Sequence, residues 1–419
     1  MAKQDNLARA LEVYKDVANE EFVKELIAAA RVTEQRSCIF SPAVCVWLMI
    51  FQRLSADHSL SAAIDELRHG SAQELLEQNT GSIRARARRV SDSTGGYCQG
   101  RARVPLSVVE GITDKLTEAL FPKEGNRIYA IDGTTLLMSC SDDNVEEFSQ
   151  HKTRQGTSHF PLARLVIATE VTTGIAKRPI IGAHNGSKAT SEIALVHELL
   201  DVLEDGSVVV ADRLYGVFQV VSKTQELGLP IVVRLRETIA NKLVKTRKGE
   251  SGEQHVVWKA SAYESKRYPH LADVEVVGRC IWRTVRRKGY KSFQLVLFST
   301  YEKPLDEVVD VYRLRWNVEK DLRDLKSTLE LDYIDSKKPD MVRKEIIAGV
   351  TAYNLIRKFM AAVARRLNEP IRTISFKATL RRIRSLGGAI LSCSFSGEKL
   401  EWVLIDAITD VSSLRLAKR

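Results

Sequence analysis

Apolar residues change their period near Arg127. Before it, Asn6 to Ala30, Pro42 to Leu54, Ser59 to Leu67 and Pro105 to Leu120 repeat apolar positions every three or four residues, which predicts helices. After it, RIYAIDGTTLLM, LARLVIATEVTTG and RPIIGAHNG alternate or run β-branched and predict strands. SEIALVHELLDVLEDG predicts an amphipathic helix ending on Gly206, SVVVADRLYG a short apolar strand breaking at Asp212, Val217 to Leu227 a helix, and PIVVRL another strand. That order implies an α/β layer with at least one parallel pairing. The stretches EQHVVWKAS, DVEVVGRCIWRTVR and KSFQLVLFST then interrupt the layer as a β-rich insertion. A long helix is expected from Pro304 to Leu329, a second from Val342 to Leu367 after a Lys-Lys-Pro-Asp turn, and a basic one around Phe376 to Leu386. The chain divides on this reading into residues 1–124, 125–235, 236–300, 301–367 and 368–419.

Charge adds a partner to this outline. The 419 residues carry a net +10, which favours a polyanion, either nucleic acid or a membrane surface. Residues 236–291 hold 14 Lys or Arg against 6 Asp or Glu, so the excess is concentrated in the insertion. The link before Pro105 gathers Arg84, Arg86, Arg88, Arg89, Arg101 and Arg103 without a helical stripe; a phosphate-binding arm and a solvated loop fit it equally. The N-terminal residues lack a secretory apolar stretch, and the longest apolar run, Ala43 to Phe51, is too short to span a bilayer, so a cytosolic protein is expected. Cys38, Cys45, Cys98, Cys140, Cys280 and Cys393 form no Cys-x-x-Cys pair and are expected to be buried reduced thiols.

The candidate chemistry sits in VYRLRWNVEKDLRDLKSTLELD. At about 100° per residue, Tyr312, Arg315, Glu319 and Lys326 fall within an arc of about 60°, with Trp316 and Arg323 beside it. Val311, Leu314, Val318, Leu322, Leu325 and Leu329 form a neighbouring apolar stripe expected to seat the helix. A solvated amphipathic surface explains this helix alone equally well. Phosphodiester chemistry on hard cations needs converging carboxylates. Asp132, before Gly133, and Asp212 both stand where an apolar strand gives way, and both can face the crevice of an α/β sheet with Glu319 laid across it. Either aspartate alone is more often a turn residue. Asp142 and Asp143 fall in SCSDDNVEEF, which reads as loop. Arg315 suits bidentate phosphate binding, Lys326 a mobile point charge, and Tyr312 donation to a phosphate oxygen. Trp316 suits either base stacking or the core, with core favoured.

These residues carry a family resemblance. Tyr312, Arg315, Glu319 and Lys326 match the Tyr, two residues, Arg, three residues, Glu, six residues, Lys signature of the bacterial DDE transposases of insertion-sequence family four. IDGTTL and VVADRLYG resemble that family's two aspartate motifs, and SKKPDMVRKEIIAGVTAYNLIR its downstream text. The resemblance implies an RNase H-like mixed-sheet α/β core, interrupted by the basic β-rich insertion and preceded by a helical DNA-binding domain over residues 1–124. It implies Asp132, Asp212 and Glu319 as catalytic metal ligands for Mg2+, with Mn2+ as an alternative, and Tyr312, Arg315 and Lys326 as DNA-binding residues; Trp316 and Arg323, beside them on the helix, are expected to bind DNA with them. It further implies cleavage at element inverted repeats, strand transfer into target DNA, a homodimeric synaptic complex, and action in the bacterial cytoplasm and nucleoid without a membrane. Several members of the family pass through a DNA hairpin, aided by an insertion Trp that takes a flipped base. Here no Trp directly precedes LVLFST, leaving Trp258, Trp282 or Phe293 to substitute, and Arg213 stands where many relatives have a small residue. Two other readings are a regulator that has kept DNA binding but lost catalysis, and a nuclease that cuts without joining.

Overall fold

The computed structural model describes residues 10–386 except 32–38, 70, 77–89, 123–126, 155, 287–288 and 290. The start of the first expected helix at Asn6, the arginines Arg84, Arg86, Arg88 and Arg89, and Cys38 and Cys393 lie outside the described residues. Among the described residues, ten strands form one mixed sheet: β1 (Ile128–Met138), β2 (Gln150–Thr153), β3 (Gly156–Glu170), β4 (Ile180–Ala183), β5 (Val208–Ala211), β6 (Ile231–Arg234), β7 (Ser251–Lys259), β8 (Glu275–Val285), β9 (Phe293–Ser299) and β10 (Tyr333–Ile334). The order is β2-β3-β1-β5-β6-β9-β8-β7, with β4 added beside β3 and β10 beside β1.

β1 runs antiparallel to β3 but parallel to β5, and β5 is parallel to β6. The helices Glu192–Leu200 and Phe218–Glu226 make the two crossovers that parallel pairing requires. Val208 to Ala211 and Ile231 to Val233 are buried throughout, as expected of central strands covered on both faces. The strands of the basic segment do not form a separate layer. β9 pairs antiparallel with β6 from Val232↔Ser299 to Arg234↔Leu297, so β9, β8 and β7 continue the central sheet.

Helices precede the first strand, but the first expected helix is two, Ala10–Val17 and Glu20–Ala29, with Asn19 capping the second through its bond from Phe22 N. Pro42–Leu54 starts on the Ser41 cap, with Pro42 in the first turn where a missing N–H costs nothing. Its buried residues and those of Leu106–Leu120 join the sheet and the helix Pro339–Leu367 in one continuous apolar cluster. Pro339–Leu367 is long and apolar enough to cross a membrane, yet 83% of its most apolar window is buried inside the molecule, as in a central core helix.

Two stretches expected as loop are helical. Gly95–Arg103 forms a helix in the arginine-rich link, and its Arg101 is bound to Glu345 at 3.0 Å instead of reaching outward. Asp142–Phe148 is a helix because Ser141 caps it and Asp142 and Asp143 complement its N-terminal dipole. Cys45 and Cys280 are buried; Cys98 is half-buried and Cys140 is exposed, which corrects the expectation for that position.

Candidate active site

The register of β1 against β5 builds the site. Ile131 lies opposite Ala211, so Asp132 and Asp212 are the next residues on two adjacent parallel strands. Side chains alternate across a sheet, and Val208 and Val210 face a small apolar cluster with Val232, Val308, Val309 and Tyr312. Asp212 continues that alternation, and Asp132, in register with it, shares the face. β1 does not end at Gly133, as the sequence suggested, but continues to Met138, so Asp132 is set in mid-strand by pairing with Ile167 of β3.

The helical run over this face is Leu305–Leu314, Trp316–Arg323 and a π turn, Asp324–Thr328. Its buried side keeps the later part of the stripe inferred from the apolar residues but departs from it at Val311 and Leu314. Leu314 is exposed and Val311 half-buried, while Val308, Val309, Tyr312, Arg315, Val318, Leu322, Leu325 and Leu329 are buried. Tyr312 and Arg315 lie on the sheet-facing side, because the polar face of the helix is the face that roofs the aspartates. Tyr312 packs against β5, β6 and β9 residues, and burial pushes its hydroxyl up, with the charge of Asp212 adding. Trp316, expected in the core, is 57% exposed, with the Arg315 guanidinium 4.7 Å from its ring centre. Arg323 is exposed. Lys326 is tethered, not mobile: it donates to Thr134 Oγ1 at 3.2 Å and Thr135 O at 3.0 Å, just beyond Asp132 on β1.

Arg315 Nη2 donates to Glu319 Oε1 at 3.0 Å. Burial alone would lower the Arg315 guanidinium, but Tyr312, Glu319 and Asp212 carry it above its ordinary value. Asp132 is pushed up to about 6, by burial first and then by the charges of Glu319 and Glu192, against the Gly133 N–H and Arg315. Among the described residues no three His, Cys, Asp or Glu side chains gather in ion-holding geometry, so the three acids are not drawn together in this arrangement; Glu319 is turned to Arg315 instead. The donor set nevertheless fits a hard divalent cation. It is all carboxylate oxygen, the ligand type that hard divalent cations take.

Sequence reasoning missed several residues around this site. Arg213, Arg234 and Arg236 line a cavity of about 380 Å³ with Leu235, Glu237, Gln294 and Val296. Of the three aromatics considered for a flipped base, Trp258 and Trp282 are buried, Trp282 donating to Lys248 O at 3.1 Å. Phe293 is 47% exposed beneath the Arg234 guanidinium. Behind Glu319, the fully buried Asp321 binds Arg357, and its Oδ1 accepts from Arg372 Nη1 at 2.6 Å. Nothing in the local pattern separated Asp321 from the surface acids around it.

Residues 123–355, a window that contains Asp132, Asp212 and Glu319, match the family model of the transposase DDE domain. The chain is also similar to transposase InsG for insertion sequence element IS4 of Escherichia coli, 23% identical over 385 residues that cover 88% of this chain and 80% of that protein.

Proposed function

Because the chain belongs to the transposase DDE domain family, within its insertion-sequence-four branch, we propose that it cuts DNA at the inverted repeats of its own element and joins the freed strand to target DNA. The observation that carries this reading is the Ile131↔Ala211 register, which sets Asp132 beside Asp212 under the helix bearing Glu319. Asp132, Asp212 and Glu319 would hold the divalent cation, Mg2+ or Mn2+. Bound there, it would polarise the scissile phosphate and favour deprotonation of the attacking hydroxyl.

The chain's own groups then do the positioning. Glu319 turns from Arg315 toward the aspartates, which frees the Arg315 fork for a phosphate. Lys326 anchors the strand beside β1, and the Arg213, Arg234 and Arg236 cavity accepts backbone phosphates nearby. Trp316 and Arg323, both exposed, face the DNA. In cleavage a water oxygen bonds to phosphorus, the P–O3′ bond breaks and the leaving oxygen takes a proton to become a 3′ hydroxyl. In joining, that hydroxyl attacks a target phosphodiester and displaces a target 3′ hydroxyl. The helices of residues 1–124 add DNA contacts, a homodimer brings two ends together, and the reaction takes place on nucleoid DNA in the cytoplasm.

The test is purified protein with Mg2+, labelled ends carrying the repeats that flank the coding region, and a target plasmid. Joined products are expected. Binding without cleavage would point to a regulator, and cleavage without joining to a nuclease. Asp132→Asn, Asp212→Asn and Glu319→Gln should each lower cleavage at least about a hundredfold while end binding persists; full activity in any of them removes that residue from the site.

A further inference from the structure

Glu192 opens the helix Glu192–Leu200, where Ser191 caps the first turn by accepting from Ala194 N at 3.1 Å. Its carboxylate meets β1 and the turn that follows β5. Oε1 accepts the hydroxyl of Tyr215, and the same oxygen lies so close over Gly133 that a Cβ there would collide with it. Gly133 follows Asp132 on β1. Tyr215 lies three residues beyond Asp212, in a turn closed by Tyr215 N donating to Asp212 O at 3.0 Å. Tyr215 is 1% exposed, so its hydroxyl depends on a protein acceptor. The turn is confined from its other side as well, since a Cβ on Gly216 would run into Arg234 O. One carboxylate therefore braces the backbone next to Asp132 and, through Tyr215, the turn that carries Asp212.

We propose that Glu192 and Tyr215 are positioning residues that fix the Asp212 turn against β1, so that both aspartates address one cation. This rests on the divalent-cation site proposed above. Glu192 acts through the tyrosine hydroxyl, which its Oε1 accepts. Neither residue belongs to the Asp, Asp, Glu set, and Glu192 has no sequence signal beyond following a helix cap.

The test is Mn2+ binding by the full chain, followed by the electron paramagnetic resonance of free Mn2+, with cleavage of labelled element ends measured in parallel. Tyr215→Phe and Glu192→Ala are expected to weaken Mn2+ binding about tenfold while DNA affinity is unchanged. Glu192→Gln, whose amide oxygen still accepts the hydroxyl, should restore binding to within about twofold of the parent. Thermal melts identify any variant that fails to fold, and Tyr215→Phe, the smallest change, then decides. Asp132→Asn serves as the reference. Parent-like Mn2+ binding by Tyr215→Phe beside a weakened Asp132→Asn overturns the positioning role and leaves the cation site standing. Glu192→Gln as weak as Glu192→Ala also overturns it, because charge and not the hydrogen bond would then matter. Asp132→Asn binding Mn2+ like the parent removes the cation site and the positioning role with it.

Discussion

Glu319 and Arg315 are four residues apart on one helical run, and their 3.0 Å ion pair leaves Arg315 Nε buried without a hydrogen-bond partner among the described residues. A buried guanidinium edge with no acceptor costs stability, so a ligand oxygen reaching it would be favoured. A lysine at this position keeps the charge but loses the planar fork. Arg315→Lys is therefore expected to slow cleavage about tenfold or more with end affinity little changed, and equal turnover in a single-turnover assay would remove the fork from the account. At this scale the sequence was a partial guide. That Asp132 and Asp212 would stand on neighbouring parts of one sheet was legible because a carboxylate beside an apolar strand conflicts with its surroundings. The burial of Arg315 and the exposure of Trp316 were not, because hydropathy assigns an aromatic to the core and an arginine to solvent whatever lies beneath the helix. Glu192 and Tyr215 meet only through tertiary contact.

The helical run carrying Glu319 is held from behind by buried charges. Arg357 of Pro339–Leu367 binds Asp321 and Asp324, and donates to Tyr353 Oη at 2.7 Å; Arg372 binds Asp321 and Val171 O. Removing one partner of a buried pair strands the other, so Arg357→Met should cost about 3 to 5 kcal/mol, read as a lower melting temperature. A melting temperature equal to the parent's would show that the network does not hold the helix. Asp324 adds a pH signature. Burial above all, with Asp321 adding and Arg357 opposing, pushes its carboxyl up to about 6 from its ordinary 3.8. A raised carboxylate contributes stability that is present below its unfolded value and lost as pH rises through the folded one. The melting temperature of Asp324→Asn should therefore fall less than the parent's between about pH 5 and about pH 7. An unchanged difference would contradict the shift. Element types followed from period and caps, as with Ser41 before Pro42–Leu54. The π turn at Asp324–Thr328 was invisible to a uniform 100° count, and it is where Lys326 leaves the helix to reach β1.

Across the whole molecule, one sheet runs from β2 to β7, and the helices ahead of β1 share its core. The parallel β1, β5 and β6 were legible because apolar strands alternating with amphipathic helices have few ways to pair. That β9 would dock on β6, making the basic segment part of the same sheet, depends on edge pairing that no local pattern encodes. The strands of the segment that holds 14 Lys or Arg against 6 Asp or Glu consequently extend the sheet that carries Asp132. End binding should then weaken steeply with salt, about a thousandfold between 50 and 200 mM if about six phosphates are neutralised. A flat salt dependence would show that this charge does not meet DNA. The central claim is that Asp132, Asp212 and Glu319 close on a divalent cation once Glu319 leaves Arg315. Anomalous scattering from Mn2+ in crystals of the protein bound to its element end tests it most directly. A manganese peak about 2.0 to 2.4 Å from oxygens of all three carboxylates is predicted. Manganese bound elsewhere, or Glu319 still paired with Arg315 in the DNA-bound, manganese-loaded protein, would contradict it.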